Sequence, residues 1–444
     1  MSMNCVRIVL IWLALIISHS YTYCQTNGDV DQHSDAQADI KLKRHENIDA
    51  HLDSAFIKPE VIKFLEDGQF TLNWRTHSLD RSTEGEADKE AVVTGGTLGW
   101  KSGYLYDVLQ VGYTHGMSQK VYAPSDKDGT GLLQSGQHSY QATMEAYLDV
   151  KLGQTFITLG RLYLNTPYIN KHDNRETPNS FQGARIQSHP TERLSLMAAY
   201  ITDMKEKTSQ GYDDIYYMAG IDGKDDGVTV LGCKWDYTQN NSIGGFSFLA
   251  DDYANTYYSE AKNKIYTFAS GDTLNFDLQY THQKSAGDKL AGDIKSEHFG
   301  AKLTWNRPAI SPYIVYTYYS DDDQIESPWG GIPGYTSIIV QDFDRPGEET
   351  IMGGVTIEGK DFGYDRWSSF INLAYGDTPD NGTNASPDQY ELDITIDYRI
   401  ADGLFKGLWF RARYAHIEQW NSDNKNDSKD MDDFRLIVNY DYHF

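Results

Sequence analysis

Arg411 and Arg413 stand two residues apart in Lys406-Gly407-Leu408-Trp409-Phe410-Arg411-Ala412-Arg413-Tyr414-Ala415. On an extended strand, side chains two apart point the same way, roughly 7 Å from one another. A guanidinium is a rigid fork of donors that matches the oxygens of a carboxylate or phosphate. Two in file would form a track for such a group. Arg75, Arg161, Arg185, Arg399 and Arg435 hold similar places on the polar side of strand-like runs. Charged side chains around a water-filled channel are a common device for selecting solutes. The competing reading is that these arginines neutralise acids of the same polar faces, such as Asp149, Asp393 and Asp397.

No other constellation points to chemistry. There is no GxSxG, no HExxH and no CxxC, and the 13 His show no ligand spacing. Asp423-Asn424-Lys425-Asn426-Asp427 lacks the glycine and the closing glutamate of a calcium loop. The sequence therefore predicts no catalytic residue, metal site or cofactor, with a barrel-embedded Ser/His hydrolase as the enzymatic alternative. Basic residues number 39 against 64 acidic, with no basic cluster, which excludes a nucleic-acid partner. Acidic runs at Asp222 to Asp226, Asp321-Asp322-Asp323 and Asp423 to Asp433 read as solvated outer loops. Divalent cations bridging them to lipopolysaccharide would be their functional use.

These arginines need elements to hold them. Apolar residues are only 39%, yet aromatics reach 13%, with 32 Tyr. A disordered chain is poor in aromatics, so this one folds, on an alternating pattern. Three Cys exclude a disulfide scaffold, and Cys233 reads as a wall side chain. At the amino terminus, Arg7 precedes ten apolar residues, Ile8 to Ile17, and a polar exit at Ser18-His19-Ser20. That is the layout of a secretory signal, assigned to 1–24, and the run is too short to span a bilayer. Residues 25–66 are polar and charged and read as a periplasmic lead. The remainder, 67–444, repeats with a period of two.

The last segment shows the repeat well. Phe434, Leu436, Val438, Tyr440, Tyr442 and Phe444 form one face, and Asp433, Arg435, Ile437, Asn439, Asp441 and His443 the other. Likewise Tyr140, Ala142, Met144, Ala146, Leu148 and Val150 oppose Gln141, Thr143, Glu145, Tyr147 and Asp149. Leu392, Ile394, Ile396 and Tyr398 oppose Glu391, Asp393, Thr395, Asp397 and Arg399. Eighteen such strands are predicted: 68–78, 90–101, 104–115, 138–152, 155–164, 181–188, 192–202, 227–238, 243–252, 256–268, 272–283, 295–307, 310–320, 348–359, 366–376, 388–400, 406–418 and 432–444. Tight gaps such as Lys151-Leu152-Gly153 take turns with long ones such as 116–137 and 203–226. Short periplasmic turns and long outer loops give this rhythm in a transmembrane antiparallel β-barrel, and a barrel of this size encloses water.

Four stretches resemble the OprD-type outer-membrane porins. Leu164 to Gly183, with Asn165-Thr166-Pro167-Tyr168-Ile169-Asn170 and Arg175-Glu176-Thr177-Pro178, is similar to their third loop. Gly68 to Arg81 is similar to their first strand. Gly330-Gly331-Ile332-Pro333-Gly334-Tyr335, followed by Asp342-Phe343-Asp344-Arg345, is similar to their seventh loop, and Lys406 to Ala415 to their penultimate strand. The resemblance implies an 18-stranded barrel whose third and seventh loops fold inward. It implies a basic ladder including Arg75, Arg411 and Arg413, with Arg175 in the third loop and Asp342 or Asp344 as acidic partner.

The expected function is a passive, substrate-selective channel in a Gram-negative outer membrane. Its solutes would be small and hydrophilic, carrying a carboxylate, such as amino acids or organic acids. The alternative is a structural or adhesive barrel with cation-binding acidic loops. Expected partners are outer-membrane lipid and lipopolysaccharide. The terminal Phe444, with aromatics two and four residues before it, resembles the signal read by the barrel assembly machinery. A monomer or a homotrimer would fit.

Overall fold

A strand in hydrocarbon must satisfy every backbone group through its neighbours, which leaves a closed barrel as the sheet solution. The computed structural model describes residues 64–421 and 424–443. The expected signal, the polar lead up to residue 63 and Phe444 lie outside the described residues. The chain divides into two units, Met1–Gly68 with Ser102–Asp107, and Gln69–Lys101 with Val108–Phe444. In the first, Phe64 to Glu66 make a helical turn, and the Gly103 N–H donates to the Phe64 carbonyl at 2.8 Å.

The second unit is a sheet of nineteen strands. They are β1 Gln69–Thr83, β2 Lys89–Lys101, β3 Leu109–Tyr122, β4 Tyr140–Leu152, β5 Thr155–Leu162, β6 Ser180–Thr191, β7 Leu194–Lys205, β8 Asp213–Asp214, β9 Val228–Thr238, β10 Asn241–Leu249, β11 Ala254–Thr267, β12 Thr273–Ser285, β13 Lys295–Asn306, β14 Ile310–Tyr319, β15 Glu349–Glu358, β16 Trp367–Asp377, β17 Asp388–Arg399, β18 Leu408–Asn421 and β19 Asn424–His443. Each long strand pairs antiparallel with its neighbours, and β1 pairs with both β2 and β19, which closes the ring. The two-residue β8 only flanks the end of β7, whose next wall partner is β9. Eighteen strands therefore form the wall, as the alternation predicts.

The outward face is greasy. Leu98, Leu148, Leu231, Trp235, Ile314, Ile351 and Tyr398 are all exposed, and Cys233 is exposed between Leu231 and Trp235 on β9. Exposed apolar surface on this scale suits lipid. The inward face of β17 is the reverse, with Glu391, Asp393, Thr395 and Asp397 buried.

Three expectations need correction. The third strand was placed at 104–115 and lies at Leu109–Tyr122, because Tyr106 and Asp107 take left-handed φ of 53° and 57°, where an extended run ends. The single apolar face expected for Tyr140 to Val150 is two faces. Thr114 pairs with Glu145 but His115 pairs with Thr143, so Met144 is an extra residue in a β-bulge. Tyr140, Ala142 and Met144 are buried inside, whereas Ala146 and Leu148 are exposed outside. Lastly, the acidic run to Asp433 is no outer loop at its end. Asp433 lies within β19, fully buried between Arg81 and Arg435.

The apolar core sits inside the ring. Leu164, Tyr168 and Ile169 from the loop 163–179 (L3) meet Ile215 and Tyr216 from 206–227 (L4) and Ile325 and Trp329 from 320–348 (L7). All pack on wall residues such as Ile201, Val230, Phe248 and Tyr258. Burying a side chain such as Leu164 or Phe248 contributes about 1.5–3 kcal/mol. The inward loops thus form their largest apolar cluster against β7 to β11, while L7 continues across β14 to β18 through Phe343 and Ile339.

Candidate functional site: the lumen constriction

L3 is tied across the lumen at several points. The Tyr168 hydroxyl donates to Thr281 Oγ1 of β12 at 2.9 Å. The Asn170 amide donates to the Gly331 carbonyl at 2.8 Å and accepts from the Gly331 N–H at 2.9 Å, which joins L3 to L7. A Cβ at Gly330 would lie 2.8 Å from that amide, so glycine is needed for the approach. Arg75 of β1 donates to Asp173 at 3.0 Å, to Asn439 at 2.8 Å and to the Arg175 carbonyl.

L7 is held by acids of the wall. The Glu391 carboxylate accepts the N–H groups of Val340 and Gln341 at 2.9 and 2.7 Å. Asp393 accepts the Ile339 N–H at 3.1 Å, and Arg435 donates to the Ile339 carbonyl at 3.2 Å. Glu391 and Asp393 were legible as polar-face residues, but nothing in their spacing marked them as loop anchors.

The arginines divide by what they already hold. Arg411 is bidentate on Asp397, at 2.7 and 2.8 Å, so for this residue the neutralising reading is right. Arg435 pairs with Asp433 at 2.6 Å, and Arg81 shares that carboxylate at 2.7 Å. Arg413 faces Arg435 in register, half-buried, and its Nε has no hydrogen-bond partner. Below it, Trp409 lies between two guanidiniums, with Arg399 and Arg411 each 4.5 Å from the ring centre. Cation–π contact of this kind holds a charge in place without neutralising it. Arg399, Arg411, Arg413 and Arg435 share the inward register of β17, β18 and β19.

Arg161 departs from expectation. It pairs with Ala146 one step from the exposed pair Leu159 and Leu148, so it belongs to the outer side of β5. There its guanidinium stacks 4.4 Å from the Tyr212 ring of L4. The alternation of β5 decides this, since Thr158 and Leu162 are buried inside and Arg161 shares the face of exposed Leu159.

The loop groups set the field at the narrowing. Arg175 of L3 lies near Arg435, Arg81 and Arg413, and burial together with those like charges lowers its pKa to about 10. Lys207 of L4, which the sequence reading passed over, donates to Asn174 at 3.2 Å and contacts His172 at 3.3 Å. Burial, with Arg175 close by, brings Lys207 down to about 8 and helps bring His172 down to about 4. Asp342 of L7 accepts from Ser337, and Asp344 accepts from Gln324 at 3.0 Å. Asp342 is open to the lumen water, yet the protein around it raises its carboxyl above the usual range. Burial raises Asp344 to about 6. Glu176 is fully buried, neither oxygen has a partner, and burial raises it to about 8.

Cationic groups of β18, β19 and L3 thus gather inside a closed wall with a greasy exterior. The family model for outer membrane porins of the OprD family matches residues 62–444. This chain belongs to that family. Porin D of Pseudomonas aeruginosa is 25% identical over 431 residues, covering 86% of this chain and 92% of its own length. OccK9 (OpdG) of Pseudomonas aeruginosa superposes with a TM-score of 0.78 at 22% identity, over 86% of this chain and 100% of the other. OpdK of the same organism, whose structure was solved with vanillate, gives 0.74 at 17% identity over 86% and 100%. The chain is thus a passive, substrate-selective channel of a Gram-negative outer membrane, and no enzyme.

Proposed function

We propose that this OprD-family porin selects small hydrophilic solutes carrying a carboxylate. The observation that carries the reading is Arg413, a half-buried inward guanidinium that makes no ion pair among the described residues, beside Arg175 and Arg435. An anionic oxygen would complete what the wall leaves open. Arg399, steadied on Trp409, would continue the track toward the periplasmic end, while Arg411 stays paired with Asp397 and Arg75 supports the track from below L3. Asp342 and Asp344 would face the positive end of a zwitterion and deter dianions. In a water-filled lumen one charge-assisted contact contributes about 1–2 kcal/mol, weak enough for release. OpdK was crystallised with vanillate, itself a carboxylate, which agrees with this reading.

Planar bilayers test it. Butyrate should interrupt the current through the purified channel, and neutral butanol at the same concentration should leave it alone. Equal effects of the two solutes would overturn the carboxylate reading. The acidic side has its own test in pH. Asp344 is ionised above about 6 and neutral below. Acidifying from about pH 8 to about pH 5 should lower the cation-over-anion permeability ratio, with its midpoint near the Asp344 value. Asp344→Asn should flatten that step. A step that persists in the variant would assign it to another group.

A further inference from the structure

The lipid side of the wall carries an apolar groove of about 420 Å³ at the foot of β12, β13 and β14, at the end opposite to L3, L4 and L7. Leu274 stands opposite Trp305 in the ladder of β12 and β13, and Leu303 opposite Ile314 in that of β13 and β14. Leu303 and Trp305 lie an even number of residues from exposed Phe299, and Trp305 and Ile314 are themselves exposed, so all four face outward. Phe268, from the turn 268–272, and Pro312 complete the lining. A hollow of this kind is open to the hydrocarbon and closed to any solute in the lumen.

The rim of the groove is aromatic and charged. Phe268 packs edge-on against Tyr266 at 4.8 Å and lies 5.8 Å from Trp305. The Arg307 guanidinium lies 4.6 Å from the centre of the Trp305 ring and makes no ion pair among the described residues. The turn does not depend on that side chain, because the Arg307 backbone N–H donates to Ser311 Oγ at 3.2 Å and its carbonyl accepts from the same hydroxyl at 3.1 Å. The neighbouring charges are mixed. Asp361 accepts the Ala309 N–H at 2.9 Å, and the Glu358 N–H donates to the Ala309 carbonyl at 2.8 Å. Lys360 lies between them in the chain, and the Asp272 carbonyl accepts the Phe268 N–H at 2.9 Å. Three carboxylates and two cations thus stand on these turns.

We propose that this groove binds a glycerophospholipid of the periplasmic leaflet with an ethanolamine headgroup. An acyl chain lies along Leu274, Leu303 and Ile314, and the phosphate meets Arg307. A guanidinium matches phosphate oxygens as a fork, and Trp305 holds it in place without neutralising it. The headgroup ammonium turns toward Asp361 and Glu358. An anionic headgroup would meet those carboxylates with no cation to offer, and a choline has no N–H to donate to them. The site rests on the placement of the barrel in the outer membrane and is independent of which solute the lumen selects.

Native mass spectrometry of the purified full chain in detergent tests this. The probes are phosphatidylethanolamine, phosphatidylglycerol and phosphatidylcholine with the same acyl chains. One phosphatidylethanolamine should stay bound at collision energies that strip the other two. Arg307→Gln should weaken its binding about tenfold, the loss of one charge-assisted contact. Leu303→Trp fills the groove from the lipid side and should weaken it with Arg307 in place. Asp361→Asn should narrow the preference for phosphatidylethanolamine over phosphatidylglycerol. Butyrate block should be unchanged in all three variants, which shows that the channel is folded and keeps this test separate from that of the carboxylate track. Equal retention of the three lipids, or phosphatidylethanolamine held as tightly in Arg307→Gln and Leu303→Trp as in the parent, would overturn the site.

Discussion

Arg413→Ala should raise the block constant of butyrate about tenfold, with unitary conductance little altered and butylammonium block unchanged. The size follows from what Arg413 holds at rest. The half-buried guanidinium makes no ion pair among the described residues, so a solute carboxylate reaching its outer nitrogens has no prior salt bridge to break. Arg435, its register neighbour, repels it and keeps it available. Arg411→Ala should do less to block and more to the wall. Arg411 already spends both forks on Asp397, whose carboxylate is buried, so removing it strands a charge at a cost of about 1–3 kcal/mol. The double variant should therefore show the Arg413 effect on block together with a lower unfolding temperature. Butyrate block in Arg413→Ala equal to that of the parent channel would remove Arg413 from solute selection. A large block effect in Arg411→Ala alone would move the site one step down the strand.

Glu391→Ala with Asp393→Ala should roughly double unitary conductance and make the open level noisy, since L7 supplies one side of the narrowing. Glu391 receives two backbone N–H groups of L7 and Asp393 a third. Each such bond contributes about 0.5–1.5 kcal/mol, so the three together hold this part of the loop by a few kcal/mol. Glu391→Ala alone should have a smaller effect, because Asp393 and Arg435 still hold Ile339 by its N–H and its carbonyl. The opposite end of L7 is buried through Ile325 and Trp329, so the loop should loosen locally and stay docked there. Conductance and noise equal to the parent channel in the double variant would show that L7 holds its place without these acids. Glu391→Lys should go further, because an ammonium has donors only and leaves the Val340 and Gln341 N–H groups facing donors.

Arg75 shows how far a pattern carries. Its place on a polar strand face is plain in Gly68 to Arg81, and the structure puts it on the inward register. That it is committed to Asp173 and Asn439 depends on L3 crossing the lumen, which no local signal reports.

The strand count, the lipid-facing side chains and the inward register of Arg399, Arg411 and Arg413 were determined by the sequence itself. They follow from alternation, and alternation follows from a pleated backbone whose bonds are met by the next strand. Tertiary structure alone decided which charges are free. Asp397 reaches Arg411 and leaves Arg413 open because β17 and β18 pair in one register and no other. Tyr140, Ala142 and Met144 turn inward while Ala146 and Leu148 of the same strand turn outward, because Met144 bulges. L3, L4 and L7 come together inside the lumen because their apolar residues share one cluster across more than a hundred residues of chain, where the Trp329 indole N–H of L7 also donates to the Ile215 carbonyl of L4 at 2.8 Å. A period of two records how each strand faces its surroundings; it holds no information about which loop will come to lie there.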